Sequence, residues 1–438
     1  MSDSNTSTLY YGWKIVTALL VILTFASGLS FYNHSIYINA LASQSNFSIS
    51  TASLAVSVFF LSAGVAGLLV GKMIQKVDAR LSFTLGAILC CTALNSLAHV
   101  QSLWQLILVY MIFGSGFACS ALLPATTIIT RWFRKRRAMA LSIASTGLSL
   151  GGVVITPLSV LLVETFGFET AAAIMGGMYL IGVIPVAWLW LRPHPESLGL
   201  QIDGNEQTSA GAQTEQAVES NEAPDGQPQV AVNAVTEQGI SLKQARGMWL
   251  FWGICIGYVF LMMAQVGGIA HQYGLARELL TEAQTALAVA ILPVASIVGR
   301  LIGGWLVEQM SIRRFAVIVM IMQAVSLLLL SGGFNIVSLC VGLFLFGSSV
   351  GNLLMLQPLL LAEAFGVQDY PRIFSISNLM SSWGTASGPA IMGLVYTSSG
   401  NLYAMPYLVA ACAGLVGLFL FISAGRLHAQ LEALNESS

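Results

Sequence analysis

Residues 287–313, LAVAILPVASIVGRLIGGWLVEQMSIR, run apolar from Leu287 to Val307 apart from Ser296 and one full charge, Arg300. A guanidinium inside an apolar helix costs roughly 2.5–3.5 kcal/mol on insertion scales, so it requires a partner or a cavity. The run ends near Glu308, which sets Arg300 about 12 Å inside at 1.5 Å per residue. The acids of the apolar runs, Glu164, Glu169, Glu278, Glu282, Glu308 and Glu363, all fall near the ends, so none is placed to neutralise it. An arginine so left suits an anion: its planar fork takes a carboxylate bidentately, and it cannot shed its proton to escape desolvation. The alternative is a packing role, with the guanidinium paired to backbone carbonyls.

Proton chemistry would fall to His34 and His271, which can change charge near neutral pH. At an offset of 233 residues His34 lands on Gly267, one helical turn from His271, so the two are expected to face one vestibule from opposite halves. Histidines bonded to neighbouring backbone or hydroxyls are the alternative. Tyr32, Tyr37, Asn352, Gln357, Asn378 and Trp383 are the polar or aromatic residues expected along a cavity. Each could equally face lipid or core.

The elements that carry these residues follow from composition. The chain has 438 residues, 56% hydrophobic and 8% charged, too apolar to clothe a soluble surface. Its mean hydropathy is +0.78. Runs long enough to cross about 30 Å of hydrocarbon fall near 14–41, 52–72, 82–100, 103–130, 138–163, 170–191, 248–274, 283–307, 315–332, 337–364, 375–398 and 404–425. The expected fold is therefore an all-α membrane protein of twelve spans in two six-helix bundles. Lysines and arginines crowd the connections after the even-numbered spans, whereas only Arg277 lies on the other side, so both termini are expected to be cytoplasmic. No basic region precedes the first apolar run, so a cleaved signal peptide is not expected.

Three regions are expected: an N-terminal bundle over 1–192, an acidic cytoplasmic linker without order over 193–246, and a C-terminal bundle with a short tail over 247–438. The linker reading rests on a stretch from Pro193 to Leu242 with no Lys or Arg and too little apolar surface to bury. The bundles read as copies. Leu54, Ala55, Val56, Gly71 and Arg80 fall on Leu287, Ala288, Val289, Gly304 and Arg313 at the 233 offset. Parallel repeats imply a substrate site between them near the midplane. Arg300 falls on Gly67, so the repeat itself does not require an arginine. Gly147 and Gly151, like Gly299 and Gly303, are spaced for close helix packing.

Gly71 to Arg80, GKMIQKVDAR, resembles the loop motif G-x-x-x-D-R-x-G-x-R of the major facilitator superfamily, and Gly304 to Arg313 is its second copy, keeping the acid as Glu308. Gly71, Arg80, Glu308 and Arg313 are thereby implied to serve a cytoplasmic gate. RWFRKRRAMALSIASTGLSLGG (Arg131 to Gly152), YYGWK (Tyr10 to Lys14) and ASIVGRLIGG (Ala295 to Gly304) are similar to the monocarboxylate transporter family and its bacterial relatives, including oxalate/formate exchangers. The resemblance implies that Arg300 binds a carboxylate. It also sets Ser296 where animal members have an aspartate, and His34 where they have a lysine in the first span. Exchangers of oxalate add a lysine in the eleventh span; here SISNLMSSWGTASGP has none, with Trp383 nearby, which favours a monoanion.

The expected function is secondary active transport of a small organic anion, most simply a monocarboxylate, by alternating access, with proton coupling or anion exchange. An exporter of larger amphiphilic compounds and a substrate-sensing membrane receptor are the alternatives. The expected site is Arg300, His34, Tyr32, Asn352, Gln357, Asn378 and Trp383, with His34 and His271 for the proton. No G-x-x-x-x-G-K-[ST] occurs, so ATP coupling within the chain is not expected. No nucleophile–base set stands out, so neither does enzyme chemistry. Six cysteines in apolar segments without CxxC spacing read as free thiols, and no metal or cofactor is expected. The expected partners are the anion, a proton and membrane lipid, the last beside the basic run from Arg131 to Arg137, with no nucleic acid. The expected setting is a monomer in a bacterial inner membrane.

Overall fold

A computed structural model describes residues 10–44, 47–133, 136–202, 240–332, 335–366 and 369–425. Among them only helices form: α1 (Tyr11–Ala26), α2 (His34–Gln44), α3 (Ile49–Lys76), α4 (Ala79–Leu97), α5 (Leu103–Ser120), α6 (Leu122–Trp132), α7 (Arg137–Trp190), α8 (Leu242–Gly247), α9 (Trp249–Leu279), α10 (Glu282–Gln309), α11 (Ile312–Gly332), α12 (Ile336–Phe365), α13 (Tyr370–Ser398) and α14 (Ala404–Ser423). Ten helical stretches are long and apolar enough to cross a membrane. The 29-residue α13 is not among them, because serines interrupt its apolar sequence.

Four apolar runs are not single straight helices. The first passes from α1 into a π-helical segment, Ser27–Tyr32, before α2 begins at His34. The fourth breaks at Ala121, which is extended (φ −91°, ψ −151°). Pro124 sits in the first turn of α6, where a missing N–H costs nothing, and its ring would clash with Ser120 carbonyl in a continuous helix. The fifth and sixth runs appear as the 54-residue α7, broken at Gly167, whose φ of +75° needs a residue without a Cβ.

Side chains and short connections fix the helix starts. Asp78 caps α4 by accepting from Arg80 N–H at 2.9 Å, and Thr281 with Gln284 forms a capping box on α10. Two ends of the expected linker are ordered, against expectation. Pro195–Leu198 forms a 3-10 turn, and α8 is anchored by Ile240 N–H donating to Phe365 O (3.0 Å) and Leu242 N–H to Asp369 Oδ2 (2.9 Å). Composition missed this because a few local contacts hold α8: these backbone bonds and the burial of Ile240 and Ala245 in the core of the second half. Residues 203–239 lie outside the described residues.

Packing repeats between the halves. Gly114 presses on the Phe59 carbonyl and Gly347 on the Leu292 carbonyl, both pairs separated by 233 residues. The guanidinium of Arg80 lies 5.8 Å from the Trp188 ring and that of Arg313 lies 4.9 Å from Phe421, again 233 residues on. Gly147 and Gly151 let α7 press on α1 at Leu20 and Thr24, as Gly384 and Gly388 let α13 press on α9 at Val259 and Met263. One apolar cluster runs from Ile15 to Leu191 with Ala270, and two others gather residues 240–424 with Tyr32.

Candidate functional site

The two halves meet along two seams, α3 against α13 and α7 against α10, with α2 against α9 beside them. On the first seam Ser57 Oγ accepts from Ala390 N–H at 3.0 Å, while His271 Nε2 lies 3.3 Å from Ser53 Oγ and 3.2 Å from Pro389 O. On the second, Pro293 packs into Gly152, and Ser149 Oγ lies 3.4 Å from Ser296 Oγ. An apolar plug of Ile36, Val160, Tyr273, Ala286 and Val289 closes the same end. All these contacts lie toward the Ile49 end of α3.

Toward its Lys76 end the same faces are bare. Gly64 and Gly67 share the face of α3 that carries Ser53 and Ser57, and Gly304 shares the face of α10 that carries Pro293 and Arg300; a Cβ at any of the three would meet nothing within 4 Å. Leu379, on the facing stripe of α13, is exposed. A cleft therefore opens at the end carrying the basic connections.

Arg300 stands where seam becomes cleft. Ser296, one turn toward the closed end, is fully buried, as is Ser149; Gly304, one turn toward the open end, is uncovered; Arg300 is half-buried. Its Nε donates to Gly351 O at 3.4 Å, and among the described residues it has no ion pair. The Tyr32 hydroxyl lies in interaction range of both Ser149 and this guanidinium. Tyr32 belongs to the π-helical segment, the kind of irregular turn that re-aims a side chain.

The supporting residues come from α12. Asn352 Nδ2 donates to Gly299 O and Ser348 O, both at 2.9 Å, and its side chain packs on Gly303, so it stitches α12 to α10 on either side of Arg300. Gln357 Nε2 donates to Ser377 Oγ (2.9 Å) and Ser381 Oγ (2.7 Å), tying α12 to α13. Both are buried; Asn378 and Trp383 on α13 are exposed.

His34 lies elsewhere, which departs from the shared-vestibule expectation. It is buried among Phe59, Phe60, Tyr110 and Phe113 of its own half, with neither ring nitrogen hydrogen-bonded. The reason is the π-helical segment, which turns the chain at Asn33, where Nδ2 donates to Ser159 Oγ at 2.7 Å. His271 does reach the seam. Arg80 pairs with Asp78 (3.5 Å), and Arg313 donates to Phe421 O and Ile422 O, so each arginine makes these contacts within its own half. Gly71 and Glu308 fall in α3 and α10, and the Glu308 side chain and the surroundings of Gly71 lie outside what the structure describes.

Sequence reasoning missed Ser149, Ser53 and Ser57. Single serines in apolar helices are common, and only the apposition of two helices distinguishes these. A guanidinium in this setting, without an ion pair among the described residues, is chemically suited to an anion.

Comparison with known proteins fits this architecture. The sequence model described as Major Facilitator Superfamily matches residues 20–276 and 250–434. Relatives include an MFS-type transporter, pynF, of Aspergillus niger, 32% identical over 34% of each chain, and Monocarboxylate transporter 12 of Rattus norvegicus, 25% identical over 55% of this chain and 49% of the relative. The chain thus spans a third to a half of these relatives' lengths. An MFS-type transporter of Gibberella moniliformis is 23% identical over 85% of this chain and 83% of its own. In fold the chain is similar to an inward-facing bacterial homolog of the human lysosomal transporter Spinster (TM-score 0.65, 16% identity, 95% and 96% covered) and to the nucleoside transporter NupG (TM-score 0.69, 12% identity, 94% and 100% covered). The chain belongs to the Major Facilitator Superfamily, and its ten long apolar helical stretches are those of a multi-pass membrane protein.

Proposed function

We propose that this protein is a secondary active transporter that carries a small organic anion, most simply a monocarboxylate, by alternating access, with Arg300 as the carboxylate-binding residue. The observation that carries the proposal is Arg300 itself: half-buried at the apex of a cleft and without an ion pair among the described residues. A guanidinium in that position is stabilised when an anion arrives, and the desolvated pair is stronger than it would be in water. Relatives named monocarboxylate transporters support the same class.

Tyr32 completes the substrate site beside Arg300. Asn352 and Gln357 hold the helices that frame it, and Asn378 and Trp383 flank the cleft. His271, at a seam that must part for the cycle to proceed, is the better placed of the two histidines to carry the coupling proton; His34 in its aromatic nest is the second candidate. Gly71, Arg80, Glu308 and Arg313 serve the inner gate.

Dividing the 52-residue apolar stretch Met139–Trp190 at Gly167 and adding α13 raises ten spans to twelve, six in each of two bundles over 1–192 and 247–438. An even number of crossings puts both termini on the side of the basic connections, the cytoplasm of a bacterial inner membrane, and the cleft then faces inward. Uptake by reconstituted protein of labelled mono- and dicarboxylates, with and without a pH gradient, tests the function. Monocarboxylate uptake is expected; efflux of amphiphilic compounds alone would favour an exporter instead.

A further inference from the structure

We infer that the groove between the start of α1 and the end of α7 seats the headgroup of an anionic phospholipid. The groove encloses about 380 Å³ and is lined by Tyr11, Lys14, Thr17 and Trp190. Its volume lies within the usual range for small-molecule sites. The Tyr11 hydroxyl donates to Trp190 O at 3.1 Å, which fixes the two walls against each other. Lys14 Nζ stands 5.6 Å from the Tyr11 ring centroid and is exposed; among the described residues it has no carboxylate partner.

The second observation concerns the indoles at this end of the molecule. Trp132 Nε1 donates to Arg192 O at 2.9 Å and Trp188 Nε1 to Thr84 Oγ1 at 3.0 Å, so both N–H groups are used within the protein. Trp190, 46% exposed, has no protein acceptor for its N–H among the described residues. An ammonium and a free indole N–H at the rim of one groove are complementary to a phosphodiester oxygen pair. Leu189, 66% exposed beside Trp190, presents apolar surface for the acyl chains. The place is the end of two apolar spans, where tryptophan, tyrosine and lysine meet headgroups.

A groove in the other half, which shares only the Thr17/Leu250 position with this one, is lined by both Arg313 and Glu363. At the 233 offset Lys14 falls on Gly247.

The test is native mass spectrometry of the full-length protein with phosphatidylglycerol, phosphatidylcholine or inorganic phosphate, for wild type, Lys14→Gln, Lys14→Arg and Arg246→Gln. Wild type is expected to retain phosphatidylglycerol over phosphatidylcholine. Lys14→Gln is expected to weaken retention about fivefold, the effect of one basic residue at a membrane surface. Lys14→Arg restores it, and Arg246→Gln in the other half leaves it unchanged. Equal retention by Lys14→Gln, or equal retention of the zwitterionic lipid, overturns the inference. Displacement of the lipid by millimolar inorganic phosphate would overturn the lipid assignment and leave a phosphate site.

Discussion

Ser149 Oγ of α7 and Ser296 Oγ of α10 approach to 3.4 Å across the two halves, one helical turn from Arg300. In the proposed cycle the seam that parts is therefore tied by a neutral hydroxyl pair beside the candidate anion site. A neutral hydrogen bond contributes about 0.5–1.5 kcal/mol, enough to bias two states of similar energy without locking either. Replacing both serines by alanine is expected to move the equilibrium up to about tenfold toward the state opened at the other end. Accessibility of single cysteines placed along the α7–α10 seam reports that shift.

Bare glycines at the open end are expected to tolerate bulk in the structure and not in the cycle. Gly67→Leu and Gly304→Leu meet open space, so folding and thermal midpoint should hold or rise slightly, by the helix propensity gained over glycine, about 1 kcal/mol. Transport should fall, because the added side chains obstruct closure of the cleft. Gly303→Leu is the contrast: its side chain would run into Asn352, and loss of folded protein in detergent is expected.

Asn352 is expected to matter through position. Asn352→Ala removes the bonds to Gly299 O and Ser348 O, leaving two buried carbonyls with fewer partners at a cost of about 1–3 kcal/mol. A lowered thermal midpoint and a raised KM for the anion are expected together, since the helix carrying Arg300 loses its tie to α12.

His34→Phe is expected to be tolerated. The imidazole sits 4.3 Å from the Phe59 ring centroid with two unbonded nitrogens, so an apolar ring of similar size removes an unsatisfied buried polar group worth about 1–3 kcal/mol. Differential scanning fluorimetry should show an unchanged or higher midpoint. The pH profile of uptake in the same variant separates the histidines: a profile that survives His34→Phe and is lost in His271→Gln assigns coupling to the seam.

Much of the fold was legible because hydrocarbon thickness imposes a length on apolar runs, and the 233-residue repeat of Arg80 and Arg313 announced two copies. Arg300 was legible for the same reason, as a charge where charges are costly. What the sequence hid depended on local irregularity and apposition. The π-helical turn at Ser27–Tyr32 decides that Tyr32 faces the seam at Gly152 and that His34 faces the aromatic nest of its own half, and no hydrophobic period encodes that choice. Asn352 and Gln357 read as cavity residues by their polarity; the sequence did not show that they also bond between helices, to Gly299 O and to Ser377 and Ser381 Oγ. Ser149 and Ser296 gain meaning only as a pair.

The most direct test concerns Arg300. Initial uptake of a labelled monocarboxylate into proteoliposomes should be measured for wild type, Arg300→Lys and Arg300→Gln, each checked for folded protein by its thermal midpoint. Removing one member of a desolvated charge pair costs about 2–5 kcal/mol, so Arg300→Gln should lose at least about thirtyfold in kcat/KM, with Arg300→Lys intermediate because an ammonium keeps the charge without the fork. Wild-type uptake by Arg300→Gln would contradict the assignment of the anion site.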